Sequence, residues 1–350
     1  MKPKLHIYLN KYHENIEYLT NLTRMYGLSV MIVSKVFCAD EKLIDVVNHT
    51  EVDMIADSKI ANLEKIQTLK PKVLLRIPQK SEALDVVKNA DISLNSELEV
   101  IKELNEKARC LFTKHKIILM FDLGDLREGI YYTSDYVSIV KEIFTLEHIE
   151  LYGIGTNLTC YGGVIPTIDT LMKLNIIKEN IEQTFNMKLN MISGGNSSAL
   201  PMLFKEELPH FINNLRIGEA YVLGRETAYG TLIPHMHDDA FVLEAEIIEL
   251  KEKPSYPEGE LGMDAFGQKV SFVDQGTITR AILGIGKQDV DCKHLIPMNS
   301  CTILGCSSDH LIVSVPKNTY KIGDTLSFKL TYGGLLSLMT SPYMRREYHA

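Results

Sequence analysis

No run in this sequence approaches the roughly 20 consecutive apolar residues that a membrane-spanning helix requires, and Met1 to Leu9 lacks the apolar core of a secretory signal. No basic block accompanies the net charge of −8, so neither a nucleic acid nor a membrane is expected as partner. The cysteines Cys38, Cys110, Cys160, Cys292, Cys301 and Cys306 form no Cys-x-x-Cys pair and no dense framework. They read as reduced thiols of a cytoplasmic protein, without a metal. No sequence repeat stands out. What is present is ordinary globular material: 350 residues, 45% hydrophobic and 23% charged, enough for two domains or a barrel with an appendage.

The stretch Leu28 to Lys35 organises the rest. Its continuous apolar run predicts a strand buried on both faces, as in parallel sheets, ending in a lysine. Ahead of it lie a short alternating strand (Pro3–Leu9) and a helix (Lys11–Tyr26) closed by Gly27. Behind it, apolar runs at Val52–Ala56, Val73–Ile77, Asp91–Leu94, Ile117–Phe121, Leu151–Gly155, Leu189–Ile192 and Leu215–Ile217 alternate with helical patterns. Those patterns fall at Ser58–Leu69, Ser81–Lys88, Ser96–Ala108, Ser134–Thr145 and Ile168–Phe185. Eight β/α units predict a closed (β/α)8 barrel over residues 1–234. From His235 the helical period disappears. Strands at Phe241–Leu250, Val270–Val273, Arg280–Ile285, Cys301–Leu304, Leu311–Val315 and Thr325–Leu330 predict a smaller all-β domain over 235–350, with residues 3–9 pairing into it and 254–267 as an exposed loop.

Chemistry-bearing residues fall just past barrel strands, the face where barrel enzymes keep their sites: Lys35, Asp57, Arg76, Asn95, Asp122 with Arg127, and Asn157. Two turns of small residues follow strands seven and eight, Ser193-Gly-Gly-Asn196-Ser197-Ser198 and Arg216-Ile-Gly218-Glu219. Such turns let backbone N–H groups approach an anion. A strand-end lysine is suited to imine formation. An amine facing a phosphate anchor is what pyridoxal 5′-phosphate requires.

With these residues in place, the chain resembles the fold-type III pyridoxal-phosphate enzymes of the alanine racemase superfamily over essentially its whole length, most of all the ornithine racemase branch. Lys35 matches the family's Schiff-base lysine. Phe121-Asp-Leu-Gly-Asp-Leu-Arg-Glu-Gly129 matches the Asp-x-Gly-x-x-Arg-x-Gly segment, which implies that Arg127 lies by the substrate carboxylate and cofactor hydroxyl. Asn196-Ser197 matches the phosphate turn, and Leu215-Arg-Ile-Gly218 the segment whose arginine faces the pyridine nitrogen. Tyr332 is similar in position to a phosphate-touching tyrosine. Asn157, Ser193 and Glu219 complete the implied cofactor contacts.

The departures refine this reading. Ala39 stands where alanine racemases carry a phosphate-binding tyrosine, and Asn157 where they carry a histidine. Lys287, in Gly286-Lys-Gln-Asp-Val290, replaces the tyrosine that serves as second base from the partner subunit. Gly305-Cys-Ser-Ser-Asp-His310 replaces a methionine-bearing segment that closes the substrate pocket. The resemblance therefore implies a two-base racemase of ornithine or another amino acid, acting as a homodimer with shared sites. Lys35 serves one face of Cα, and Lys287 or Cys306 the other. Ser307, Ser308 and Asp309 would meet the distal ammonium of a diamino acid. Alanine and lysine remain alternative substrates. The rivals are a metal-assisted lyase of the same fold, using Asp309-His310 or His235, His237 and Asp238, and a non-catalytic cofactor carrier.

Overall fold

The computed structural model describes residues 3–264, 266–269 and 271–350. The chain divides into two compact units, Tyr12–Met236 and Met1–Lys11 with His237–Ala350.

In the first unit eight parallel strands close on themselves. In chain order they are Ser29–Val33, Met54–Asp57, Lys72–Leu74, Ile92–Asn95, His115–Asp122, Ile149–Thr156, Met191–Ser193 and Asn214–Ile217. The eighth lies beside the first, with Arg216 opposite Met31, and the fourth pairs with the fifth to complete the ring. Met31, Val33, Met54, Ala56, Val73, Leu94, Ile118, Met120 and Met191 pack into one buried cluster. That packing explains why these strands read as unbroken apolar runs rather than alternating ones. Strand six approaches strand seven so closely at Gly153 that a Cβ there would collide with the Met191 carbonyl.

Two expected elements are shorter. The third strand ends at Leu74 rather than Ile77, because Pro78 draws the preceding residues into a loop after Leu75 N–H has bonded Asp57 O at 2.8 Å. The helix expected to reach Leu69 covers Ile60–Lys65, and Ile66 is already extended ahead of Pro71. A helix the periodicity did not suggest, Glu41–Asn48, starts at Asp40, whose carboxylate accepts from Leu43 N–H at 3.4 Å.

The second unit is an antiparallel sheet around the long strand Phe241–Pro254, flanked by Thr277–Leu283 and Thr325–Leu330. Lys4–Tyr8 pairs antiparallel to the long strand, with Ile7 opposite Phe241. The unit also contains a helix, Tyr332–Thr340, and a last strand, Arg345–His349, parallel to Lys4–Tyr8. The strand expected at Val270–Val273 is irregular over 271–273, and Val270 lies outside the described residues. Among the described residues no helix is long and apolar enough to cross a membrane.

Candidate functional site

Lys35 stands two residues past the first barrel strand, where the chain enters a 3-10 turn. Val36 and Phe37 are buried and anchor that turn while Lys35 is left exposed at the carboxyl end of the barrel. Ser34 Oγ donates to Asp57 Oδ2 at 2.7 Å, tying the ends of strands one and two. Burial pushes the Asp57 carboxyl upward, opposed by its bonds from Ser34, Lys59 N–H and Asn62. The turn after strand eight abuts this strand, since a Cβ on Gly218 would sit 3.2 Å from Val33 Cβ.

Arg216 is buried and held from two sides. Nη1 donates to Ser193 Oγ at 2.5 Å and Nη2 to the Thr156 carbonyl at 2.6 Å, with Asn157 Oδ1 at 3.4 Å. Desolvation lowers its pKa to about 10, opposed by Glu128, so it remains a cation at neutral pH. Asn196 Nδ2 donates to Asn157 Oδ1 and to Leu158 O, each at 2.9 Å, while its Oδ1 accepts from Ser198 N–H at 2.8 Å. Ala220 N–H reaches Ser197 Oγ at 3.4 Å. Asn157, Ser193, Asn196 and Arg216 thus form one network across strands six, seven and eight, with Ser197 beside it on the turn that Asn196 opens. Two buried hydroxyls at this end, Thr156 Oγ1 and Ser198 Oγ, have no hydrogen-bond partner. An orphaned buried hydroxyl costs about 1–3 kcal/mol. A group rich in oxygen, such as a phosphate ester, fits that unmet demand.

The Arg127 segment is shaped by two aspartates. Asp122 Oδ1 accepts from Gly124 N–H (2.8 Å) and Leu126 N–H (3.1 Å), folding the turn. Gly129, at φ +129°, leaves no room for a side chain, because a Cβ would lie 2.5 Å from Asp122 N. Asp125, which the sequence did not single out, accepts backbone N–H groups of Thr159, Cys160, Tyr161 and Val164 at 2.9–3.1 Å. Burial would raise its pKa, but these donors outweigh that and lower it. The loop after strand six is thereby clamped to the loop after strand five. Arg127 Nε pairs with Glu128 Oε2 at 2.7 Å and borders a cleft of about 430 Å³ with Arg76, Ile77 and Tyr161. Arg76 itself pairs with Glu82 at 2.6 Å, and Asn95 donates back to Ser93, so both have roles within their own loops.

Glu219 opens the last short helix of the barrel unit, largely buried. Burial raises its pKa from 4.5 to about 7, opposed by Arg225 and Lys35 and reinforced by Glu226. A carboxyl whose folded pKa is raised contributes stability that is complete below its unfolded pKa and disappears as pH climbs through the folded value. The window is therefore pH 4.5 to 7. Urea unfolding should show Glu219→Gln gaining up to about 3 kcal/mol over the parent at pH 8 and nothing at pH 4. An equal gain at both pH values would contradict an ionised, buried Glu219.

The remaining predicted residues belong to the sheet unit. Lys287 N–H donates to Ser307 O (2.9 Å) and Gln288 N–H to Ser308 O (2.8 Å). Gly286 packs so tightly on the same turn that a Cβ would be 2.5 Å from Asp309 N. Lys287 and the Cys306–His310 segment are therefore one surface. Lys287 Nζ lies 3.9 Å over the Phe266 ring, a partner that sequence reading missed. Asp309 accepts from Ser307 Oγ, Ser308 Oγ and His310 Nδ1 at 3.0–3.2 Å, and these hydrogen bonds hold its pKa low. Tyr332 is the first residue of the helix Tyr332–Thr340. Asp238 is engaged by Lys329 at 2.8 Å. Among the described residues, the converging metal-ligand groups are His6 with Glu347 and His349, and Asp291 with Cys292 and Cys306. Neither includes Asp309, His310, His235 or His237.

Residues 7–225 match the family described as alanine racemase, N-terminal domain. Ornithine racemase of Acetoanaerobium sticklandii is 49% identical over 351 aligned positions, covering 99% of each chain. Lysine racemase of Thermotoga maritima is 38% identical, covering 99% of this chain and 98% of that one. Among solved structures, alanine racemase of Clostridium difficile 630 superposes with a TM-score of 0.77 at 18% identity, covering 100% of this chain and 96% of that one.

Proposed function

The chain belongs to the alanine racemase family, and from that membership we propose that it interconverts L- and D-ornithine with pyridoxal 5′-phosphate as cofactor. The observation that carries this reading is the network around buried Arg216, built at the same end of the barrel as Lys35 and containing hydroxyls that still need partners. Lys35, Asn157, Ser193, Asn196, Ser197, Arg216, Gly218, Glu219 and Tyr332 would hold the cofactor. When bound, it supplies an aldehyde for the substrate amine and an electron-poor ring that tolerates loss of the α-proton.

The chain's own groups do the rest. Lys35 carries the amine that takes or returns the proton on one face of Cα. Lys287, from the sheet unit of a second copy, serves the opposite face. A homodimer with shared sites follows from that division of labour. Arg216, which keeps its proton, would hold the ring nitrogen of the bound cofactor by a hydrogen bond, and so would limit charge delocalisation and favour simple proton return. Arg127 meets the substrate carboxylate. Asp309, kept ionised by its three donors, pairs with the distal ammonium. The lysine racemase relative also acts on a basic amino acid, which fits an anionic end to the pocket. The six free cysteines suit a reducing cytoplasm.

Chiral chromatography of L-ornithine, L-lysine and L-alanine, with and without chelator, tests this. Ornithine should racemise without change of mass and without chelator sensitivity, with kcat/KM about 100-fold or more above that for alanine. Aldehyde or keto-acid product that disappears with chelator would instead make the protein a lyase. Bound yellow cofactor without turnover would make it a carrier.

A further inference from the structure

We propose a zinc-class metal site on the outer face of the sheet unit, formed by His6, His349 and Glu347. Strands Lys4–Tyr8 and Arg345–His349 run parallel with His6 opposite Glu347 and Tyr8 opposite His349. Strand alternation sends Leu5 and Ile7 into the core and turns His6, Glu347 and His349 to one polar face. Three ligand atoms, one from each residue, lie within 4.8 Å of one another.

The arrangement is specific atom by atom. His6 Nδ1 lies 2.9 Å from His349 Nε2. Two nitrogens on a tetrahedral zinc at about 2.0–2.1 Å would sit roughly 3.3 Å apart, so a small spreading admits the ion. Glu347 divides its oxygens. Oε1 takes Lys4 Nζ (3.2 Å) and Arg345 Nε (3.0 Å), while Oε2 faces His6 Nδ1 at 3.8 Å. The other nitrogen of His6, Nε2, faces Glu244 Oε1 at 3.7 Å. At that distance the carboxylate makes no hydrogen bond to the ring, and a shift of about 0.5 Å would bring it to the supporting position that metal-ligating histidines commonly have. The Tyr8 ring stacks on His349, with centroids 4.9 Å apart and planes 25° apart, and holds that imidazole in plane. Ion pairing alone accounts for Glu347. The two imidazoles are joined by a hydrogen bond at 2.9 Å, and the ion would take the place of that bond with both nitrogens as ligands, while the Glu244 carboxylate stands 3.7 Å behind the first ring.

Two imidazoles and one carboxylate with an open fourth position suit Zn²⁺, and by the same chemistry Ni²⁺ or Cu²⁺. Mg²⁺, which demands oxygen ligands, is excluded by that donor set. Among the described residues the last strand pairs with Lys4–Tyr8 alone, so the ion would add a second tie between these two strands.

The test is zinc chloride titrated calorimetrically into the chelator-treated, dialysed holoenzyme. One equivalent per chain should be lost in His349→Ala and in His6→Gln, and its affinity should fall about tenfold or more in Glu244→Gln. Magnesium chloride should give no such binding. Zinc held by Asp291, Cys292 and Cys306 is distinguished because it survives His349→Ala and is lost in Cys292→Ser. His349→Ala, at the penultimate position, should keep its racemase activity, which verifies its fold. Zinc stoichiometry and affinity unchanged in both histidine variants, or magnesium binding equally, would overturn the site.

Discussion

Lys35→Ala should lower ornithine racemisation by about 10⁴-fold or more, and Lys35→Arg should be equally inactive. On the proposed mechanism, an alanine removes both the amine that would bond the cofactor aldehyde and the base on one face. An arginine keeps the charge but cannot give up a proton in water. The fold should not register either change. Lys35 is exposed, and its turn is secured by buried Val36 and Phe37 and by the Ser34–Asp57 bond. Unfolding free energies within about 0.5 kcal/mol of the parent are therefore expected. Two readouts accompany the rate. The parent should show visible absorbance from bound cofactor, and borohydride should fix a pyridoxyl mass on the peptide containing Lys35. The variants should lose both. A parent that is colourless when purified with cofactor, or a Lys35→Ala protein that turns over normally, would remove the proposed chemistry.

What the sequence revealed follows from which interactions are local. All eight barrel strands were readable because strands buried on both faces are continuous apolar runs, and Lys35 could be singled out because it follows the first of them by two residues. Arg216 could be singled out from Arg-x-Gly, but its partners could not. Ser193 and the Thr156 carbonyl come from two other strands, and nothing near Arg216 signals them. Asp125 looks like one more surface acid in Asp-Leu-Gly-Asp-Leu-Arg, yet it organises a loop more than 30 residues further on. The only local hint lies in that loop, where Gly162 leaves 2.7 Å between a would-be Cβ and the Asp125 carbonyl. His6 and His349 are 343 positions apart, and a parallel pairing of first and last strands leaves no mark on either stretch. A helix end and a strand end were misjudged, ahead of Pro71 and Pro78 respectively, because hydropathy continues past the point at which the backbone turns.

Lys287→Ala should separate the two halves of racemisation. If Lys35 and Lys287 act on opposite faces of Cα, removing Lys287 should slow interconversion by about 10²–10⁴-fold, the usual contribution of a positioned acid or base. One enantiomer should still exchange its α-hydrogen with deuterated solvent, because the face served by Lys35 is intact. The other should not. The backbone is well placed to make this a clean subtraction. The turn Gly286–Val290 is held by Lys287 N–H to Ser307 O, by Gln288 N–H to Ser308 O, and by the close seat of Gly286 on Asp309. None of these contacts uses the lysine side chain. What the variant loses besides the amine is the contact over Phe266, which at a partly exposed site is worth about 1 kcal/mol. Proton NMR of each enantiomer in deuterated buffer, with chiral chromatography on the same samples, reads both quantities. Racemisation within about tenfold of the parent would exclude Lys287 as the second base and pass the role to Cys306, on the strand next to the same turn. In that case Cys306→Ser should show the one-sided exchange instead.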